Sequence, residues 1–352
     1  RLQSLPSEKR DFALKETMYL RASNPEDIEI AAKILKEGGL VGIPTETVYG
    51  LAANALDGEA SAHIFAAKGR PADNPLIVHI CDVDQLAPLV QEVPESAMKL
   101  AEHFWPGPLT MILPKADCIP DSVSAGLETV AIRYPSHPAA QAVIAACGFP
   151  LAAPSANLSG RPSPTTAEHV MHDLGGRIDA VLDGGPCAVG VESTVITLAT
   201  NPPRLLRPGG ITLEQLRSVL GEIVLDPAVL HPLASGAKAS SPGMKYKHYA
   251  PKANVILLDG PRDWYLNYVN THQEDAGALC FTEDLAELTV PCVAYGTETE
   301  SAKQAHELFE ALRELDDLGV STIYARCPDQ SGVGLAVYNR LIRAAGFEVR
   351  KV

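Results

Sequence analysis

The sequence predicts an α/β protein of two domains: a larger first domain on a mixed, twisted sheet, and a smaller Rossmann-like domain joined to it by a long linker. Three observations carry this expectation. At 352 residues the chain exceeds what one ordinary hydrophobic core organises, and 46% apolar with 20% charged residues is a globular composition. Short apolar runs alternate with amphipathic helical patterns along most of the length. Between the two halves, DPAVLHPLASGAKASSPGMKYKHYA (226–250) loses hydrophobic periodicity and gathers Pro, Ser, Ala and Gly. The expected organisation is therefore an N-terminal extension (1–23), a first domain (24–221), a linker that doubles as a lid (222–251) and a second domain (252–352).

The elements follow in order. In NPEDIEIAAKILKEGG, Asn24 caps, Pro25 takes the first helical position, Glu26 and Asp27 complement the positive end, and Ile28, Ala31, Ala32 and Leu35 recur at helical spacing before Gly38 and Gly39. The runs LVGIP, PLIVHI, LTMILP, TVAIRYP, PLAAPSA and STVITL read as strands, and HPAAQAVIAACG and TTAEHVMHDLGG as helices between them. After the linker, NVILLDG, GALCF, TVPCVAYG and VSTIYARC read as strands of a doubly wound sheet. ESAKQAHELFEALRELDDLG and GLAVYNRLIRAAG supply its helices.

Charge and cysteine usage exclude several function classes. A formal net charge of -14 opposes a surface that grips nucleic acid by general phosphate attraction, so any nucleotide must meet a local basic site. The seven cysteines are scattered, odd in number and never form C-x-x-C, which predicts neither a disulfide framework nor a zinc site. The first twenty residues carry charges throughout, and the most apolar stretch, PAAQAVIAACGFPLAAP, is interrupted by Gln, Gly and Pro. The expectation is a cytoplasmic protein with no signal peptide and no membrane span.

Four polar clusters in the first domain draw the eye: PTETVYG (44–50), KGRPADN (68–74), PSANLSGRPSPT (154–165) and VESTV (191–195), followed by LLRPGG (205–210). In an extended segment alternate residues share a side, so Lys68 with Arg70, and Ser155 with Asn157, can each present two groups to one ligand. Two cations with several hydroxyl and amide donors make a polyanion cradle. Taken singly, each cluster reads better as a solvated turn; the convergence of all of them favours a ligand site. The dense KYKHY at the linker's end, alternating cations with tyrosines, is more than a tether needs and is expected to fold over that site.

The K-x-R of KGR, the S-x-N of SAN, and the surrounding PTETVYGL, RPADNPLIVHI, ESTV and LLRPG resemble the YrdC-like threonylcarbamoyl-AMP synthase family, in the family's order, over roughly residues 24–215. The stretch SPGMKYKHYAP and the second α/β domain are similar to that family's long, two-domain form. The resemblance implies a nucleotidyltransferase that converts L-threonine, bicarbonate and ATP into threonylcarbamoyl-AMP and pyrophosphate, for threonylcarbamoyladenosine beside the tRNA anticodon. It implies magnesium arriving with ATP and no resident metal. It also implies hand-over of the product to tRNA-modifying proteins, without stable nucleic-acid binding. By match to the family's motifs, Lys68 and Arg70 are the catalytic cations. Arg70, Asn74, Thr129, Ser155, Asn157, Ser163, Arg207 and Tyr249 fall to ATP, and Thr47, His79, Arg133, Ala153 and Ser193 to threonine. Two rival readings stay open: a non-catalytic RNA-binding or ribosome-maturation module, which the acidic chain disfavours, and a carbamoyl-transfer maturation enzyme, which calls for zinc-binding cysteine pairs.

Two further features read as structural. SGVGLAVYNR (331–340) follows a strand and opens a helix but lacks the full glycine fingerprint of a phosphate loop. Glu310, Glu314, Asp316 and Asp317 read as the solvated face of a helix.

Overall fold

The computed structural model describes residues 15–244 and 247–352, so the first fourteen residues of the extension, and Lys245 and Tyr246 of the KYKHY stretch, lie outside the described residues. Helix α1 (Pro25–Lys36) begins where the capping signals place it: the Asn24 side chain accepts from the Glu26 amide at 3.2 Å, with proline next in line. The other helices of the first domain are α2 (Gly58–Lys68), α3 (Glu95–Phe104), α4 (Asp121–Ser124), α5 (Pro138–Cys147), α6 (Ala167–Leu174) and α7 (Leu213–Leu220).

Among the described residues, eleven strands form one sheet: β1 (Met18–Arg21), β2 (Val41–Ile43), β3 (Gly50–Asn54), β4 (Ile77–His79), β5 (Leu109–Pro114), β6 (Thr129–Arg133), β7 (Leu151–Ala152), β8 (Ala180–Asp183), β9 (Thr194–Thr197), β10 (Arg204–Arg207) and β11 (Val224–Leu225). Their order is β1-β8-β2-β3-β7-β4-β6-β5-β9-β10-β11. Parallel and antiparallel pairs mix, as the irregular Pro and Gly punctuation led one to expect; β4 runs parallel to β6, and β5 antiparallel to it. Alternation along each strand splits the core. Val78, Met111, Ile132 and Ile196 face α2, α3 and α6, whereas Val41, Ile43, Ala52 and Leu182 face α1 and α5.

A third patch is covered by no α-helix among the described residues. Ile77, Ile112, Ala131, Val195 and Leu206 are covered instead by Ala228, Leu233, Ala239 and Met244 of the linker. The linker is thus a packed layer on the sheet, and the functional cleft lies along this layer.

The second domain is a parallel five-stranded sheet of β12 (Asn254–Asp259), β13 (Ala276–Cys280), β14 (Cys292–Ala294), β15 (Thr322–Arg326) and β16 (Val349–Lys351). Its order, β14-β13-β15-β12-β16, seats β15 between β13 and β12, where the Rossmann arrangement pairs the first two strands directly. Helix α8 (Arg262–Thr271) covers one face through Tyr265, Leu266 and Val269. Helices α9 (Ser301–Asp317) and α10 (Gly334–Ala344) cover the other, where Leu308, Phe309, Val337 and Leu341 join Val48 and Val191 of the first domain in one core.

That junction is also ionic. Arg313 on α9 donates both terminal nitrogens to Asp173 on α6, at 3.0 and 3.1 Å, and one of them to the Pro162 carbonyl at 2.7 Å. Arg161 pairs with Asp316 at 2.5 Å, and His169, neutral because burial lowers its pKa to about 4, places Nε2 2.7 Å from Glu310 as a hydrogen-bond donor. The reading of this helix's acidic residues as a solvated face is corrected for these two: Asp316 and Glu310 are docking contacts, because α9 is sandwiched between its own sheet and α6. From α10, Asn339 donates to the Val229 carbonyl, and Arg343 to those of Ala228 and Met244, so the second domain holds the linker at both ends of its packed stretch. The SGVGLAVYNR segment is strand-to-helix packing of this kind.

Candidate active site

The lower wall of the cleft is built from strand ends. His79 and Arg133 close the paired strands β4 and β6, in register with each other and on the same side as Ile77 and Ala131. Both side chains are buried. Thr47 comes from the turn after β2, Ala153 and Ser155 follow β7, Ser193 precedes β9, and Arg207 ends β10, where a bulge between Leu205 and Arg207 re-aims the strand. Together with Arg70 and Tyr249 these residues line one concavity of about 550 Å³, counting its open mouth. Nine residues expected from sequence thus converge from segments spread over two hundred positions.

Hydrogen bonds fix them. Arg133 donates to the Thr47 hydroxyl at 2.8 Å and to Glu46 Oε1 at 2.6 Å, while Glu46 Oε2 accepts from the Ser136 amide at 3.1 Å. Burial alone would raise the Glu46 carboxyl; Arg133 outweighs it and holds the group below the usual carboxylate range. Arg207 donates to the carbonyl and hydroxyl of Ser193 at 2.9 and 3.2 Å, and the Ser193 and Thr110 hydroxyls lie 2.7 Å apart. His79 Nδ1 donates to the Ile77 carbonyl at 2.9 Å, and burial, reinforced by Arg133, lowers its pKa to about 3, so the imidazole is neutral at physiological pH.

Lys68 and Arg70 require a correction. The segment is not extended: Lys68 is the last residue of α2, and Gly69 caps it in the left-handed region at φ 65°. Lys68 is therefore buried at a helix end, with its Nζ on the Ser155 carbonyl, and it stands behind the cleft wall. Burial, then the neighbouring Arg70, lowers its pKa well below the ordinary lysine value. Arg70 faces the cleft; its guanidinium donates to the carbonyls of Asn74 and Pro75, and burial lowers its pKa to about 10.

The remaining expected residues fall beside the concavity. Asn74 is buried next to Arg70. Asn157 donates to the Leu158 and Arg161 carbonyls, turning away from the alternation assumed for S-x-N. Ser163 donates to Glu192. Thr129 starts β6 opposite Pro114 in β5, four residues before Arg133 and so roughly 13 Å along the strand from it. Five of the seven buried side-chain atoms without a hydrogen-bond partner among the described residues cluster here: Arg70 Nε, Asn74 Oδ1, Arg133 Nε, Asn157 Oδ1 and His248 Nε2. Buried polar groups are ordinarily paired, so such a concentration marks a surface that awaits a polar ligand.

Tyr249 is where the linker was expected to bring it. It is buried, sits at φ 61°, and has its ring 5.5 Å from that of Phe309 on α9. A left-handed tyrosine is strained by on the order of 1 kcal/mol, and packing from the second domain holds it there. Residues that sequence reasoning left unassigned include Thr45, Glu46, Glu192 and His248. Glu46 and Glu192 lie inside the quoted PTETVYG and ESTV motifs, which was the available signal; their arginine partners are too far away in sequence to be paired by eye.

The Sua5/YciO/YrdC family description, "Telomere recombination", matches residues 33–209, and "Threonylcarbamoyl-AMP synthase, C-terminal domain" matches residues 211–346. A threonylcarbamoyl-AMP synthase of Pyrococcus abyssi is 49% identical over 92% of this chain and 96% of its own length. One from Bacillus subtilis is 48% identical over 93% and 95%. Among solved structures, that of Pyrococcus abyssi Sua5 complexed with L-threonine superposes with a TM-score of 0.90 at 46% identity, covering 96% of this chain and 99% of that one. With both domains matched and the likeness running through nearly the whole length, the chain belongs to the Sua5/YciO/YrdC family, in the two-domain form of the threonylcarbamoyl-AMP synthases.

Proposed function

We propose that this protein is an L-threonylcarbamoyladenylate synthase, joining L-threonine, bicarbonate and ATP into threonylcarbamoyl-AMP with release of pyrophosphate. The observation that carries the reading is the convergence of three arginines, the buried Arg133 and Arg207 and the half-buried Arg70, on one concavity that also holds a neutral histidine and several hydroxyls. Such a site suits two anions brought together. Threonine's amine nitrogen bonds to the bicarbonate carbon while a carbon–oxygen bond of the bicarbonate breaks and water leaves, giving a carbamate. A carbamate oxygen then forms a bond to the α-phosphorus while the bond from that phosphorus to the β-phosphate oxygen breaks, and pyrophosphate leaves with the electron pair. The nucleophile is already an anion, so positioning and charge neutralisation supply the catalysis.

In this reading Arg133, Thr47, His79, Ala153 and Ser193 surround threonine, with Glu46 holding Arg133 in place. Arg70, Ser155, Arg207 and Tyr249 meet the nucleotide directly, and Lys68 acts from behind Ser155, adding positive charge without offering a hydrogen bond to solvent. Asn74, Asn157 and Ser163 shape the nucleotide side, and Thr129 belongs to its far end. Magnesium enters as the counterion of ATP: Glu46 and Glu192 are both engaged by arginine, so phosphate oxygens and water supply its ligands. The product serves threonylcarbamoyladenosine formation beside the tRNA anticodon, through partner proteins that accept the adenylate. A reducing cytoplasm suits the free thiols. Pyrophosphate release that depends on both threonine and bicarbonate tests the reading; release with ATP alone at the same rate refutes it, and no turnover favours a binding module.

A further inference from the structure

One arginine of the second domain penetrates to the back of the nucleotide site. Arg340 on α10 is fully buried and spends its guanidinium on the first domain. Its Nε donates to Glu192 Oε2 at 2.8 Å, one terminal nitrogen to the Glu192 carbonyl at 3.0 Å, and the other to the Pro208 carbonyl at 2.6 Å. Asn339, its neighbour, accepts from it at 2.9 Å and is itself anchored on the linker through the Val229 carbonyl. The guanidinium also lies 5.7 Å from the Tyr249 ring centroid.

The positions it contacts are informative. Glu192 lines the cleft and precedes Ser193; Pro208 follows Arg207; and Arg207 in turn bonds Ser193. Arg340 therefore staples the two loops that present Ser193 and Arg207. It also answers an electrostatic difficulty. Glu192 is a buried carboxylate in the wall of a site that reads as anion-binding, where an uncompensated negative charge repels a triphosphate. The first domain supplies Ser163 to one of its oxygens and Arg207 nearby, but the direct ionic partner comes from the second domain. The other titratable groups that feel Glu192 are Tyr249 and His248 from the linker and Lys68 at the end of α2; Arg343 lies beyond Tyr249, committed to the Met244 and Ala228 carbonyls.

We propose that Arg340 is a positioning residue of the nucleotide site: by neutralising Glu192 and fixing the Ser193 and Arg207 loops, it makes ATP binding by the first domain dependent on the docked second domain. This rests on the ATP-dependent function proposed above and assigns the second domain a role in it.

The test uses the full chain with Arg340→Met, Arg340→Lys, Glu192→Gln and the double variant Arg340→Met/Glu192→Gln, with calorimetric titration of MgATP and, separately, of L-threonine. Arg340→Met is expected to weaken MgATP by at least about tenfold while L-threonine shifts by less than about threefold. Arg340→Lys, which keeps a cation beside Glu192, is expected to fall between Arg340→Met and the wild type. In Arg340→Met the affinity for MgATP rises as pH is lowered and Glu192 takes up a proton; in the double variant that slope disappears and most of the affinity returns. A structural role alone lowers the melting temperature and weakens both ligands together, with no rescue by Glu192→Gln. Overturning results are MgATP binding by Arg340→Met within about twofold of wild type, or a double variant that binds no better than Arg340→Met. If Arg340→Met does not fold, an Arg340→Lys variant with wild-type melting and MgATP binding as tight as wild type overturns the positioning role. Wild-type protein that fails to bind MgATP overturns the proposed function and this inference together, and so is distinguished from failure of the inference alone.

Discussion

Replacing Lys68 by methionine separates charge from packing at the cleft. The lysine stem is buried at the end of α2, and its ammonium meets the Ser155 carbonyl. Alanine removes the stem as well and opens a void, so methionine, of similar length, is the cleaner perturbation. Two stability terms oppose each other. The Ser155 carbonyl loses its donor, at about 1–3 kcal/mol for a buried group, while removal of a cation whose pKa burial already depresses relieves a desolvation cost of similar size. The net change is expected to stay within about 2 kcal/mol, read by urea denaturation. Catalysis has no such compensation: losing one preorganised positive group beside a reacting phosphate lowers kcat by about 10²–10³-fold. Arg70→Gln, which removes a guanidinium that donates to the Asn74 and Pro75 carbonyls, is expected to lose activity comparably. The assay is pyrophosphate release at varied ATP. A Lys68→Met protein whose kcat/KM for ATP lies within about threefold of wild type refutes the electrostatic role assigned to this lysine.

Glu46→Gln loosens the 2.6 Å clamp on Arg133 and is expected to raise KM for threonine well above any change for ATP, which steady-state kinetics with each substrate varied in turn will show. Serine, lacking threonine's methyl, is expected to be the poorer substrate by about 1–3 kcal/mol in kcat/KM; equal specificity constants speak against a fitted pocket. Folding stability is expected to fall in acid below about pH 6.5, the unfolded histidine value, because burial holds His79 and His248 at about 3 and His169 at about 4. Above that pH both states are neutral and these groups contribute nothing. Below it the unfolded chain binds protons that the folded one refuses, at about 1.4 kcal/mol per pH unit for fully buried His79. His169→Gln is expected to make the slope shallower in denaturation series run across that range, and an unchanged slope removes His169 from the account.

Much of the cleft was legible because its residues sit in short motifs at strand ends, where local pattern and site coincide: Thr47, His79, Arg133, Ser155, Ser193 and Arg207 needed no knowledge of the path between them. The misreading at Lys68 has a local cause. GEASAHIFAAK carries apolar or small residues around much of the helix surface, because α2 is buried on several sides, so no stripe announced it and the K-x-R was taken as extended. The late strand β16 and helix α8 escaped for a related reason, being short or studded with polar residues. What sequence could not show is pairing at a distance. Glu46 finds Arg133 across 87 positions and Glu192 finds Arg340 across 148, so the second domain's entry into the site is visible only in three dimensions.

The central claim is that this cleft couples a carbamate of threonine to the α-phosphate of ATP, and carbon-labelled bicarbonate tests it most directly. The protein is incubated with ATP, magnesium, L-threonine and ¹³C-bicarbonate, and the nucleotide fraction is examined at once by mass spectrometry. The account predicts a threonylcarbamoyl adenylate carrying the labelled carbon, in step with pyrophosphate and missing when threonine is omitted. Pyrophosphate and AMP accumulating with no labelled carbon in any nucleotide, under conditions where the adenylate itself survives, contradicts it.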